Sequence, residues 1–514
     1  MNKRSRTHNS IRNSIVALSV FSINFLLQFI SRKIFLDHLG TEVLGLNTTA
    51  TSLLSFLNLA ELGVGAAVTY ALYKPLADND YNTINEIISV QGWLYRNIAC
   101  LVIIGSIIIM PLFPIIFSKM QLPLWYAYAS FGVLLFSSLL GYFFNYRQII
   151  LTANQQEYKI QSSYRIAILL KILFQIICLS NFHNGYFWWL SLEVAFTIIA
   201  SLWLNIVIKK TCPFLKTTIS QGKELKEKYS TIITKIKQFF FHKIAAFILQ
   251  QTSPIIIYAF TTLTMVAIYG NYMLIITGVL ALLNAIFNGM AAGVGNLVSE
   301  GNKPHILSVF RELFTSRFYI VATLAYGIYI LANPFVAHWV GAEYQLGTTT
   351  LALIVFNFYI NAHRSVVDSF INAYGLFKDV WAPIIEAILN IGCSVILGYF
   401  WGLNGILTGV IISLLIIVFT WKPFFLFKYA FNYPTSWYFK LYVKHIGVFL
   451  IVYLFTNNIL RLLCINPYET ICYMIVYGLT GVGVFAILLL IILLLIESGM
   501  KKFVNRLKLF ICLK

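Results

Sequence analysis

Long apolar stretches, each of about 20 residues or more, follow one another along almost the whole of this 514-residue chain. An α-helix rises about 1.5 Å per residue, so about 20 apolar residues cross the roughly 30 Å hydrocarbon layer of a bilayer. The stretches are too long and too continuous for strands of a membrane β-barrel, and a helix satisfies its own backbone hydrogen bonds in lipid. The sequence therefore predicts an all-α polytopic membrane protein with about 14 transmembrane helices. The predicted spans are residues 13–36, 43–72, 93–117, 122–146, 160–182, 185–208, 238–262, 265–298, 316–340, 348–373, 379–400, 403–427, 441–462 and 471–496.

Composition excludes most soluble proteins. Hydrophobic residues make up 59% of the chain and charged residues only 11%, whereas a soluble domain carries about 25% charged residues. The net charge of +19 would suggest nucleic acid in a soluble protein. Here the basic residues cluster between apolar stretches, so we expect them to orient the helices and to meet anionic lipids, with no nucleic acid as partner.

The basic loops predict the topology, because Lys and Arg accumulate on the cytoplasmic side. The loop 209–237 holds eight lysines, and the C-terminal tail is also basic. The opposite loops are short, and Lys119 and Arg461 are their main basic residues. We expect both termini in the cytoplasm, and the apolar stretch behind the basic N-terminus to be an uncleaved first helix rather than a signal peptide.

The lysine-rich loop also predicts the domain organisation. Residues 1–208 form an N-terminal six-helix bundle and residues 238–430 a C-terminal one in this interpretation. Residues 209–237 are a basic cytoplasmic linker between them. Residues 431–514 add two further transmembrane helices and the basic tail.

An internal repeat supports two related bundles. Residues 58–68 (NLAELGVGAAV) match residues 288–298 (NGMAAGVGNLV) at a constant offset of 230 residues, and both lie at the end of the second predicted span of their bundle, before a polar cytoplasmic loop. Repeats in the same orientation typically form two lobes with a substrate cavity between them. The shared glycines are candidates for a bend or for close helix packing: Gly63, Gly65, Gly293 and Gly295.

Basic residues inside predicted spans are the candidate substrate-binding residues, since each costs at least about 2.5–3.5 kcal/mol near the bilayer centre. Such a charge needs a polar cavity or a partner, unless the side chain extends to the interface. An excess of basic side chains favours an anionic substrate such as a phosphate or diphosphate. The predicted cationic cavity comprises Arg32, Lys171, Arg364, His363, Arg147 and Lys243.

Four acidic residues in the spans are candidates for coupling transport to protons or sodium ions: Glu61, Glu193, Asp368 and Glu386. Pairing with a base is the alternative for each, and Asp368 lies four residues after Arg364, the spacing of an ion pair within one helix. No other cofactor and no metal site is expected.

Nothing in the sequence predicts an enzyme. The chain has no glycine-rich phosphate loop, no HExxH motif and no large loop outside the spans that could hold a catalytic domain. Its seven cysteines form no CxxC pair. Cys464 and Cys472 flank one short loop and could form a disulfide if that loop is periplasmic; buried single thiols are the alternative.

Three segments near the N-terminus carry a resemblance to a known family. They are Arg32 with 39–46 (LGTEVLGL), then 59–67 (LAELGVGAA), then 73–80 (YKPLADND). Together with the arrangement of six, six and two spans, they resemble Wzx-type flippases for O-antigen and capsule repeat units, within the multidrug/oligosaccharidyl-lipid/polysaccharide (MOP) exporter superfamily. The resemblance covers the whole chain in layout and the first 90 or so residues in detail.

The resemblance implies two MATE-like six-helix bundles that move by alternating access in a bacterial inner membrane. It implies an undecaprenyl-diphosphate-linked oligosaccharide as substrate, and polymerase and chain-length proteins of the same pathway as partners. Coupling to a proton or sodium gradient is implied by the family alone. Three alternatives stay open: a cation-coupled multidrug antiporter of the same fold, a peptidoglycan lipid-intermediate flippase, and a membrane glycosyl polymerase or ligase.

Overall fold

A computed structural model describes residues 3–287, 290–376, 379 and 381–512. These residues are almost entirely helical and include no β-strand, which confirms the predicted all-α class. They form two compact units, an N-terminal unit (Met1–Ala267) and a C-terminal unit (Ile268–Lys514). The division of the chain into bundles at residues 208 and 238 stays a prediction.

The N-terminal unit consists of helices α1 to α11, and α12 begins at its end. Their bounds are α1 Lys3–Leu57, α2 Val64–Asp78, α3 Tyr81–Ile109, α4 Phe113–Ile116, α5 Trp125–Phe143, α6 Ile149–Ala153, α7 Glu157–Ile160, α8 Ile166–Asn181, α9 Gly185–Thr211, α10 Gly222–Lys228, α11 Ser230–Phe260 and α12 Leu263–Phe287.

Helices α13 to α21 complete the C-terminal unit. Their bounds are α13 Met290–Ser299, α14 Lys303–Trp339, α15 Thr348–His363, α16 Ser365–Ala373, α17 Trp381–Ser413, α18 Lys422–Leu426, α19 Ser436–Leu462, α20 Ile471–Ile496 and α21 Ser498–Cys512. The π-helical stretch Leu414–Trp421 joins α17 to α18 without a break in the helix.

Ten helical stretches in the described part of the chain are long and apolar enough to cross a membrane. Two of them, Arg12–Asp78 and Trp381–Phe431, are each long enough to hold two of the predicted spans. They bend at Gly40 and Gly402, where φ is +81° and +54°, a backbone conformation that glycine adopts at little cost. In the part of the chain that the structure describes, the other predicted spans also fall on helices, some of them short, such as α15 and α16. The chain is a multi-pass membrane protein.

In the N-terminal unit, α1 packs against α5, α8 and α11, and α8 pairs with α9. The core between them contains Phe35, Val43 and Leu179. In the C-terminal unit, the long helix α14 is central and contacts α15, α20 and α21. Its buried face carries Phe310, Phe314 and Phe318, which anchor two aromatic-rich cores.

The lysine-rich segment after α9 packs against helix α3 of the N-terminal unit. Asn85 on α3 donates to the Phe214 carbonyl at 3.1 Å and accepts from the Lys216 amide at 2.9 Å. Further along, Lys228 on α10 pairs with Glu86 on α3 at 2.6 Å. The segment therefore folds back onto α3, which shapes the pocket described below.

The repeat glycines differ in their surroundings. Gly63 has φ +90°, and a Cβ added there would lie 2.9 Å from the Ile236 carbonyl oxygen on α11, so only glycine fits this close approach. A Cβ at Gly65 would make an ordinary contact, whereas at Gly293 and Gly295 it would meet no atom within 4 Å. A hinge role for these glycines stays a prediction.

Gly45 provides a test of the packing in the N-terminal unit. A Cβ added to this residue on α1 would lie 1.9 Å from the Leu263 carbonyl oxygen at the start of α12. Because backbone must shift to admit it, we expect Gly45→Ala to lower the free energy of unfolding by about 1–3 kcal/mol. Thermal unfolding in detergent measures this loss. Gly132→Ala on α5, where a Cβ would meet nothing within 4 Å, is the control and should unfold no earlier than the wild-type protein.

Candidate functional site

Lys171 is buried within the N-terminal unit and has an acidic partner. Its Nζ lies 2.6 Å from Oε1 of Glu193 on the adjacent helix α9. Gln175, one turn further along α8, donates to the other Glu193 oxygen at 3.1 Å. The pair explains how a lysine is accommodated in a membrane helix, since each charge neutralises the other. A substrate anion would have to compete with Glu193 for Lys171.

Arg364 belongs to a second ionic network, in the C-terminal unit. It donates to Asp368 at 3.0 Å and to Glu386 on α17 at 3.3 Å. Lys422 on α18 contacts the other Asp368 oxygen at 2.7 Å. Two cations and two carboxylates therefore balance in this network, which links α16, α17 and α18. As at Lys171, the positive charge is matched inside the protein.

The remaining predicted cavity residues have varied surroundings. Arg32 donates to the Ala267 carbonyl at 3.0 Å. His363 is 3% exposed and packs edge-on against Phe314 in an aromatic cluster, with ring centroids 4.4 Å apart. The side chain of Lys243 lies outside the described residues. The substrate-binding role of these residues stays a prediction.

Arg147 lines a pocket of about 220 Å³ within the N-terminal unit. It lies on the short 3-10 turn after α5, where its Nε donates to the hydroxyl of Tyr146 at 3.1 Å. The last turns of α9 supply Asn205 and Lys209 to the lining, and the start of the lysine-rich segment supplies Cys212. No described residue in this lining is acidic. We call this site the basic pocket.

The surroundings of the basic pocket leave its positive charge uncompensated. Neither Arg147 nor Lys209 forms an ion pair with a described carboxylate. Burial raises the pKa of the Cys212 thiol, so this sulfur stays protonated and adds no negative charge. Lys159 donates to Thr211 at 3.0 Å, next to the lining. The arrangement can hold an anion through charge-assisted hydrogen bonds from Arg147 and Lys209.

Glu61 differs from the other three candidate coupling acids. Glu193, Asp368 and Glu386 all pair with cations. Glu61 accepts hydrogen bonds from the hydroxyls of Tyr95 at 3.1 Å and Tyr142 at 3.0 Å, and it forms no ion pair with any described residue. A carboxylate held only by neutral donors can gain or lose a proton without breaking an ion pair. Among the described residues, no group of three or more His, Cys, Asp or Glu is arranged to hold a metal ion.

Arg317, near the start of the predicted span 316–340, is a buried cation outside the predicted cavity. It is 1% exposed, donates to the Ala362 carbonyl at 3.0 Å and lies over the Phe287 ring at 3.8 Å. No described carboxylate pairs with it. The sequence does carry a signal for this burial. Asn302 caps α14 and Pro304 lies in its first turn, so the helix begins well before residue 316 and Arg317 lies in its interior rather than at its end.

Comparison with solved structures defines the fold. A structure of the lipid II flippase MurJ in an inward closed conformation aligns with a TM-score of 0.64 and 14% identity, over 94% of this chain and 99% of that chain. An inward-facing multidrug resistance MATE family transporter of the MOP superfamily aligns with a TM-score of 0.57 and 15% identity, over 80% and 97%. The chain therefore has the fold of these two solved structures, which agrees with the predicted all-α class of polytopic membrane proteins.

Sequence comparisons go no further than this. No family model matches the chain, and no curated protein matches it. At 14–15% identity the structural likeness establishes the fold, and the substrate has to be argued from the side chains.

Proposed function

We propose that this protein is a flippase that moves undecaprenyl-diphosphate-linked oligosaccharide repeat units across a bacterial inner membrane by alternating access. Both termini lie in the cytoplasm in this proposal. The observation that carries it is the basic pocket, where Arg147 and Lys209 line one cavity without an acidic residue among the described lining.

The chemistry of that pocket selects among transporters of this fold. A guanidinium group donates two parallel hydrogen bonds to phosphate oxygens, and lysine adds a mobile point charge. The neighbouring Asn205 offers an amide to a sugar hydroxyl or a phosphate oxygen. An organic cation, the cargo of a multidrug antiporter, would meet like charge there. The similarity to a structure of the lipid II flippase MurJ supports a lipid-linked cargo.

Reconstitution into vesicles separates the candidate functions. Fluorescent undecaprenyl-diphosphate-linked oligosaccharide, a lipid II analogue and a cationic dye are tested in parallel against protein-free vesicles. We expect the oligosaccharide lipid to change leaflets faster than in empty vesicles, and the dye to show no transport. Exchange confined to the lipid II analogue would assign the protein to peptidoglycan synthesis instead. Transport of the dye alone would establish the antiporter.

Glu61 provides a test of whether transport is coupled to a proton gradient. We propose that its carboxyl group carries the coupling proton, because it is held by two tyrosine hydroxyls and by no cation. Glu61→Gln keeps the shape and removes the charge, so we expect it to reduce gradient-driven transport about tenfold, a change of about 1.4 kcal/mol, with passive exchange retained. The initial rate of exchange with and without an imposed pH gradient measures this. Glu157→Gln, at an exposed position, is the control; equal gradient dependence in both variants would remove Glu61 from the mechanism.

A further inference from the structure

A second cavity, of about 470 Å³, lies within the C-terminal unit and shares no lining residue with the basic pocket. It is bounded by the end of α14, the start of α15 and the connection between α19 and α20. Its volume lies in the range of about 300–1,000 Å³ that is typical of small-molecule sites. The topology predicted from the basic loops places this connection on the outer side of the membrane. We call this cavity the outer pocket.

Arg461 gives the outer pocket a positive charge. It lies in the last turn of α19 and lines the cavity. No described lining residue is acidic, and no described carboxylate pairs with Arg461. Since the guanidinium group is always protonated, it can offer its full set of donors to a carboxylate or phosphate group in the pocket.

Aromatic rings and amides form much of the rest of the wall. Tyr329, Tyr468 and Tyr477 line the cavity together with Asn333 and Asn457. A sugar ring has apolar C–H faces, which pack on aromatic rings, and a hydroxyl edge, which pairs with amides that both donate and accept. This combination suits a glycan better than a lipid tail, which would need a continuous apolar lining.

Hydrogen bonds hold the wall in place before any ligand arrives. The side-chain oxygen of Asn457 accepts a hydrogen bond from the Tyr326 hydroxyl at 3.1 Å. This bond fixes the orientation of the Asn457 amide. Asn333 donates to the Leu346 carbonyl at 3.0 Å. The connection itself is fastened by His338, whose ring Nε2 lies 3.0 Å from the Pro467 carbonyl oxygen. A preformed site loses less entropy when it binds.

We propose that the outer pocket is a second binding site, selective for acidic sugars, that is, for glycan units carrying a carboxylate or phosphate group. The inference rests on the proposed function, because it places the site where the glycan emerges after translocation. Arg461 pairs with the acidic group, and the tyrosines and Asn457 receive the sugar ring.

Two native cysteines allow a direct test. Cys464 lines the outer pocket, whereas Cys472 does not, and both are free and exposed. Full-length protein in nanodiscs of zwitterionic lipid is labelled with a charged maleimide, and each cysteine-containing peptide is quantified by mass spectrometry over time. The probes are a trigalacturonate and the uncharged maltotriose. Labelling of intact cells with the same membrane-impermeant reagent establishes which side the pocket faces.

We expect trigalacturonate to slow the labelling of Cys464 at least about fivefold and to leave the labelling of Cys472 unchanged. Maltotriose should protect neither cysteine. Arg461→Gln should raise the trigalacturonate concentration for half-protection about tenfold. Lys119→Gln, which removes the main basic residue of another predicted outer loop, should leave it unchanged. Unaltered Cys472 labelling shows that each variant is folded.

Equal protection by both sugars, equal behaviour of Arg461→Gln and wild-type protein, or labelling of Cys464 only in opened cells would overturn the proposal. Protection of Cys464 that appears only in nanodiscs of anionic phospholipid would also overturn the proposal, because it would show that the pocket binds a lipid headgroup. The assay measures binding without transport. Protection without leaflet exchange would therefore refute the flippase function alone, and exchange without protection would refute the outer site alone.

Discussion

Replacing Lys171 by methionine is expected to lower the free energy of unfolding by about 3–5 kcal/mol, because the change leaves Glu193 buried without its partner. The two side chains are 11% and 13% exposed and 2.6 Å apart. Denaturation in detergent, followed by tryptophan fluorescence, measures the loss.

The double variant Lys171→Met/Glu193→Leu distinguishes loss of the pair from loss of side-chain packing. It removes both charges, so we expect it to regain most of the stability. Lys74→Met, at an exposed position, should cost less than about 0.5 kcal/mol. If the double variant is as unstable as Lys171→Met alone, the ion pair is not what stabilises this region.

Removing both cations of the basic pocket is expected to reduce transport of a diphosphate-linked lipid about a hundredfold. A hydrogen bond to a charged group contributes roughly 1.5–3 kcal/mol, so Arg147→Gln and Lys209→Gln should each cost about tenfold. Arg147→Lys should lie between the wild-type protein and Arg147→Gln, because lysine retains the charge but not the two parallel donors. The initial rate of leaflet exchange, per molecule of reconstituted protein, measures each effect.

Lys210→Gln is the matched control for this series. Lys210 follows Lys209 in the last turn of α9 but does not line the basic pocket. It has the same charge and nearly the same position along the chain. If Lys210→Gln reduces transport as much as Lys209→Gln, general surface charge rather than the pocket determines the rate.

The helices and their apolar lengths could be predicted from sequence, because lipid leaves the backbone few other options. The buried ion pairs could also have been predicted. Lys171 and Glu193 are equally far from the turn that begins at Phe182, and Arg364 and Glu386 are equally far from Gly375. Consecutive antiparallel helices bring such equidistant residues to the same depth in the membrane, so an acid on one helix can pair with a base on the next.

The basic pocket could be predicted only in part. Arg147 could be predicted as a site residue because it lies at the end of a predicted span. Lys209 joins it because α9 packs against α5 and against the turn that carries Arg147, and Cys212 directly follows α9. The segment beyond Cys212 folds back onto α3 through Asn85, a contact between residues more than 100 positions apart. No local pattern announces such a contact. The same holds for the outer pocket, which brings Asn333, Asn457 and Tyr477 together from three helices.

Competition between two lipids that differ in a single feature tests the central claim most directly. One carries its oligosaccharide on undecaprenyl diphosphate, and the other carries the same oligosaccharide on the same chain through an uncharged linker. If phosphate charge is what the basic pocket recognises, wild-type protein moves the diphosphate lipid at least about tenfold faster, and Arg147→Gln/Lys209→Gln abolishes that preference. Equal rates for both lipids in the wild-type protein would contradict it.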